Sequence, residues 1–215
     1  MDRWATFDCY GTLIDWDGGI RAELVRVFGA DRADDLLARY HEVEADLERD
    51  GELTYRQVLT DAMRTLGAPD GSEYGLVDSL PAWRAFPEVH NSLAELRSRG
   101  WKLAILSNTD DDLIAASQVR IGIPFDEVVV AQEIGSYKPA HKHWEEFFSR
   151  THASRDGHVH VGASLFHDMA PANELGLRSV WINRVGETAY DGARPDRELT
   201  DLVLLPETRD GLVPA

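Results

Sequence analysis

Apolar positions along this chain change their period twice. Residues 3–7 form a short apolar run that ends at Asp8 and predicts a strand. Beyond it the apolar residues move to helical spacing: Leu36, Tyr40, Val43 and Leu47, then Val58, Ala62 and Leu66. From Phe86-Pro87 onward, strand and helix patterns alternate. Helices are expected over 88–99, 110–120, 141–152 and 167–175. Strands are expected over 102–106, 127–130, 158–161 and 179–182, with a last short one over 202–205. Residues 67–71 and 184–200 read as loops because they are polar and contain glycine. Short apolar strands alternating with helices predict an α/β fold, a doubly wound parallel sheet covered on both faces. The helical block falls between the first and second strands. It is therefore expected to be a separate unit, 16–84, folding over the strand tips of a sheet domain made from 1–15 and 85–215.

Composition narrows the partners. The net charge of -16 makes a surface that disfavours nucleic acid and anionic membranes. No apolar run reaches the roughly 20 residues of a membrane span. The first residues lead straight into a strand, so no signal peptide is expected. The one cysteine, Cys9, rules out an internal disulfide and suits a reducing compartment. These features together predict a cytoplasmic protein acting on a small molecule.

Candidate chemistry collects at the strand ends. In open α/β sheets, ligands gather outside the carboxyl ends of the strands. Asp8 stands at such an end, followed by a Gly11-Thr12 turn, and is the expected nucleophile. Ser107-Asn108-Thr109 closes the second strand, and Lys138-Pro139 follows the third. Asp168 follows the strand that ends at Gly162. Side by side, Asp8, Ser107, Lys138 and Asp168 converge on one pocket. Lys138 would keep Asp8 ionised and balance a second acid. Thr12 and Ser107 would hydrogen-bond the nucleophile or the substrate, and Asp168 would orient Lys138 or a water. Taken singly, each has a local alternative as a turn or helix cap or a surface residue. His167 is the histidine nearest this cluster in sequence. His141 and His143 diverge on a helix and are not expected to hold a metal. Cys9 is expected to pack rather than react.

The order of these stations resembles the haloacid dehalogenase superfamily. Asp8-Cys-Tyr-Gly-Thr12 looks like its first motif and Leu106-Ser-Asn108 its second. Lys138-Pro139 looks like the third, and 161–168, ending in Asp168, like the fourth. The resemblance implies a Rossmann-like core with an inserted helical C1-type cap. It also implies an aspartyl-ester mechanism, and a homodimer is an open expectation because many relatives dimerise. Arg39, 31 residues after Asp8, resembles the cap arginine that attends the halide or the substrate acid. Ser107 and Asn108 would bind the substrate carboxylate. Ser164 is similar to a serine of the fourth motif that helps position substrate and water.

Two departures choose among reactions. Phosphatases of the superfamily usually carry an acid two residues after the nucleophile; this chain has Tyr10, which resembles the dehalogenase pattern and is assigned to the substrate. Ala163 stands where phosphatases keep a Mg²⁺-binding aspartate. The expected activity is therefore a cofactor-free, metal-independent hydrolysis of a small carboxylic acid such as a 2-haloacid. The alternatives are a Mg²⁺-dependent phosphatase and a catalytically weak binding protein. The second alternative draws on the altered fourth motif, Ala163-Ser164-Leu165; Trp144 also replaces a tyrosine of the dehalogenase pattern and leaves the substrate open.

Overall fold

The computed structural model describes residues 2–49 and 51–213. Its strands are β1 (Arg3–Phe7), β2 (Trp101–Ser107), β3 (Glu127–Val130), β4 (His158–Gly162), β5 (Ser179–Ile182) and β6 (Arg197–Leu199). They form one parallel sheet in the order β3-β2-β1-β4-β5-β6. The helices before β2 are α1 (Trp16–Phe28), α2 (Ala30–Glu48), α3 (Tyr55–Thr65), α4 (Gly75–Ser79) and α5 (Val89–Ser98). Those after it are α6 (Asp111–Ile121), α7 (Ala131–Ile134), α8 (Lys142–Thr151), α9 (Ala170–Glu174) and α10 (Leu205–Leu212). None of these helices is long and apolar enough to cross a membrane.

Side chains alternate across the central strands, as the pleat requires. Ala5, Phe7, Leu103 and Ile105 join a large apolar cluster that continues into α1 to α5. Trp4, Ala104 and Leu106 point to the opposite face and pack with Trp144 and Phe147 of α8. Trp144 is fully buried there, behind the sheet, and does not line the cavity described below.

The chain leaves the sheet and returns to it through one narrow crossing. The Asp15 N–H donates to the Arg84 carbonyl at 2.8 Å, and the Phe86 N–H to the Leu13 carbonyl at 3.0 Å. Ile14 and Ala85 thus pair antiparallel at the root of α1 to α4. A second tie lies farther out. Asp110, just before α6, is buried and accepts the Tyr55 and Arg56 N–H groups, each at 2.9 Å. Those are the first donors of α3, which a helix cannot satisfy itself. Within α3, Thr54 and Gln57 complete a capping box.

Three expected elements differ. The last strand lies at Arg197–Leu199, inside a stretch read as loop, and the apolar run at 202–205 leads instead into α10. An edge strand paired on one side and solvated on the other carries little apolar signal. The helix expected over 167–175 begins with a π-helical turn, Leu165–Met169, before α9.

Candidate active site

Register brings the carboxyl ends of β1, β2 and β4 together. Phe7 pairs with Ile105 on one side and Val161 on the other. Asp8 therefore lies level with Gly162, and its N–H donates to the Val161 carbonyl at 2.9 Å. The order reverses at β1, the switch point where such sheets open a crevice. A cavity of about 280 Å³ lies over these tips, lined from below by Asp8, Ser107, Lys138 and Asp168.

At its floor one ammonium joins two carboxylates. Lys138 Nζ donates to Asp8 Oδ1 at 2.9 Å and to Asp168 Oδ1 at 2.7 Å. Thr12 Oγ1 donates to Asp8 Oδ2 at 2.8 Å and accepts the Ala163 N–H at 2.9 Å. Asp168 is also held by the Ser164 N–H at 3.2 Å and by His160 Nε2 at 3.3 Å. Gly162 makes room for it: a Cβ there would lie 2.4 Å from the Asp168 carboxyl carbon.

Burial and charge set the ionisation. Burial pushes Asp8 up to about 6, with the Asp168 charge adding to it while Lys138 and Thr12 pull back. Burial acts on Asp168 too, but the Lys138 charge and His160 outweigh it and hold it below the usual carboxylate range. Burial likewise opposes the Lys138 charge, yet Asp168 and Asp8 keep it cationic well past neutrality. His167 lines the cavity and is driven down to about 4 by burial, so it stays neutral near pH 7.

The remaining expected site residues divide. Ser107 is 1% exposed and lines the cavity, and its hydroxyl has no hydrogen-bond partner among the described residues. Ser164 also lines it, while its hydroxyl caps the following turn by accepting the His167 N–H at 3.0 Å. The Tyr10 ring lines the wall and stacks on Tyr55, but its hydroxyl turns away to Ser117 at 3.0 Å. Asn108 also lines the cavity, with its polar atoms turned to protein partners. Its carbonyl accepts the Lys138 N–H at 2.7 Å, and its amide donates to the Lys138 carbonyl at 3.1 Å and to Glu48 at 3.3 Å. With those groups engaged, Asn108 braces the lysine loop. Arg39, expected at the substrate, is exposed and does not line the cavity. One helical position is a turn of about 100°, enough to send Arg39 outward while Tyr40 points in.

Sequence reasoning expected an apolar lid with Trp16 and Tyr40, and missed the acids of the roof. Tyr40, Glu44 and Glu48 recur every fourth residue along α2, and both glutamates line the cavity with His41 and Tyr55. Glu44 Oε1 accepts the Tyr40 and Tyr55 hydroxyls at 2.9 and 3.0 Å. Burial pushes Glu44 up to about 7 and Glu48 well above the usual carboxylate range. The available signal was this spacing of four from a buried tyrosine.

A family model described as haloacid dehalogenase-like hydrolase matches residues 74–182, half of the chain. The chain belongs to that family. It is a hydrolase of the haloacid dehalogenase superfamily, and its relatives within it carry two kinds of name. An (S)-2-haloacid dehalogenase of Pseudomonas sp. (strain YL) is 29% identical over 208 residues, covering 91% of this chain and 89% of the relative. A glyceraldehyde 3-phosphate phosphatase of Methanopyrus kandleri is 33% identical over 136 residues, covering 56% of this chain and 57% of the relative. The haloacid dehalogenase fold extends over nearly the whole molecule. The solved structure of an L-2-haloacid dehalogenase from Xanthobacter autotrophicus, with chloropropionic acid covalently bound, matches at TM-score 0.85 and 20% identity. That match covers 98% of this chain and 99% of the other.

Proposed function

We propose that this hydrolase displaces a leaving group from carbon, with Asp8 as nucleophile and a small organic acid such as a 2-haloacid as substrate. One observation carries the reading: a single lysine ammonium bridges Asp8 and Asp168 on the cavity floor, and Ala163, whose N–H is tied to Thr12 beside them, offers only a methyl group. A hexacoordinate Mg²⁺ needs several oxygen donors around one point. Asp8 and Asp168 instead share Lys138, and the described residues contain no group of three metal-ligating acids, histidines or cysteines. The residues present do not fit such an ion.

Asp8 attacks the carbon, a C–O bond forms, and the carbon–halogen bond breaks with its electron pair leaving on halide. Water then adds to the Asp8 carboxyl carbon and the acyl C–O bond breaks. The departing alkoxide takes a proton from the water, giving the 2-hydroxy acid and free Asp8. Lys138 stabilises the carboxylate before attack and the oxyanion during hydrolysis. Ser107 holds the substrate acid, and Asn108 keeps Lys138 in place. Residues 16–84 act as a cap that excludes bulk water over the core of residues 1–15 and 85–215. The one cysteine, buried and free, suits a reducing cytoplasm.

The phosphatase alternative asks Tyr10 to protonate a leaving alkoxide. Its hydroxyl is turned to Ser117, and burial raises it above its ordinary range. A single turnover of 2-chloropropanoate in water carrying a heavy oxygen isotope tests the reading, with mass analysis of the peptide containing Asp8. Label in Asp8 is expected. Product formed without label there overturns it, as does phosphate-ester turnover that chelator abolishes and Mg²⁺ restores.

A further inference from the structure

The roof of the cavity is chemically unlike its floor. Helix α2 presents Glu44 and Glu48 one turn apart, and no arginine among the described residues lines the cavity. Each glutamate keeps an acceptor oxygen with no partner among the described residues. Glu44 uses Oε1 for both tyrosines, and Glu48 uses Oε2 for Asn108. Of the remaining basic groups in the wall, His41 faces Asp17 at 3.2 Å, His167 is neutral and turned to the Ser164 hydroxyl at 3.1 Å, and Lys138 is committed to Asp8 and Asp168. Ser107 adds a buried hydroxyl without a partner on the same cavity. Empty acceptors above an anionic nucleophile select what can enter. A second carboxylate at the far end of the substrate would meet two acids, whose own ionisation burial already opposes, and no free cation, so its charge would be buried unpaired. A hydroxyl or ammonium there would donate to the remaining acceptors, and an ammonium would also draw the glutamates toward their ionised form.

Resting on the Asp8 reading above, we propose that the substrate is a 2-substituted acid whose far end carries a hydrogen-bond donor, an ammonium most favourably, held by Glu44 and Glu48. The family match does not supply this preference. It comes from acids on α2 and from Arg39 lying outside the cavity.

Titration calorimetry with the three-carbon and four-carbon product analogues tests it on the intact protein at neutral pH. Lactate has no far donor, isoserine (3-amino-2-hydroxypropanoate) adds an ammonium, and malate adds a second carboxylate. Isoserine is expected to bind about tenfold tighter than lactate, and malate about tenfold weaker. In the Glu44→Gln/Glu48→Gln variant the isoserine-to-lactate ratio is expected to fall toward unity. Circular dichroism checks that this variant is folded; if it is not, the wild-type ranking alone decides. Malate binding as tightly as isoserine, or lactate tighter than both, overturns the proposal. Turnover of 2-chloropropanoate is read separately, so a failed Asp8 mechanism and a failed donor preference give different results.

Discussion

The floor and the roof of the cavity are both acidic, yet they are built on opposite terms. On the floor, Asp8 and Asp168 are saturated by Lys138, Thr12, His160 and the Ser164 amide. On the roof, Glu44 and Glu48 keep open acceptors and are pushed upward by burial. A carboxylate held by several donors has one geometry, which suits a nucleophile that must meet carbon along one line. An unsaturated one adapts to what arrives, which suits recognition. Chemistry and selection are thus divided between strand tips and an inserted helix, as loop-borne specificity over a rigid scaffold would have it.

The largest effect comes from breaking the floor. Lys138→Met should lower kcat by on the order of 10²–10³-fold. It should also cost about 3–5 kcal/mol of stability, because two buried carboxylates lose their shared partner. Urea melts of Lys138→Met and of Lys138→Met/Asp168→Asn check the cause: the second change should restore part of the stability and none of the activity. Equal stability of the two variants would show that the carboxylates are not coupled through this ammonium.

A smaller effect separates the floor from the roof by pH. Asp8 attacks only when ionised, and burial sets its pKa at about 6. Below that pH, kcat/KM for 2-chloropropanoate should fall about tenfold per unit, and above it should level off. Lys138 stays cationic across this range, so it adds no limb of its own near neutrality. A midpoint near 4 would mean that Asp8 is not desolvated in the free enzyme.

The smallest effect tests how the roof is held over the floor. Asp110→Ala removes the acceptor for the first two donors of α3 and should destabilise the protein by about 1–2 kcal/mol. The KM for 2-chloropropanoate should rise more than kcat falls. A loss confined to kcat would place the role of Asp110 in chemistry instead of in roof placement.

How much of this was legible follows from which interactions are local. Asp8, Ser107, Lys138 and Asp168 were readable because strand ends are marked by apolar runs, and a parallel sheet puts those ends on one edge. Which partner each side chain chooses depends on neighbours far away in sequence. Asn108 turned to the Lys138 peptide, and the Tyr10 hydroxyl turned to Ser117 on α6. The roof was the least legible. Leu36, Tyr40, Val43 and Leu47 gave a convincing apolar stripe, but the buried line runs through Leu36, Tyr40 and Glu44. A periodicity search scores glutamates as surface, so the polar members of that line were passed over. Strand β6 was hidden because Arg197 and Glu198 are exposed at the sheet edge.

The paired crossing at Ile14 and Ala85 carries a topological consequence. The ends of the helical block lie two hydrogen bonds apart, at Asp15 with Arg84 and at Leu13 with Phe86. Seen from the sheet, the whole excursion between those bonds is a hairpin turn of unusual length. Loop-closure entropy grows only with the logarithm of such a length. The strands can therefore exchange one excursion for another, longer or shorter, and keep both their order and the floor at their tips.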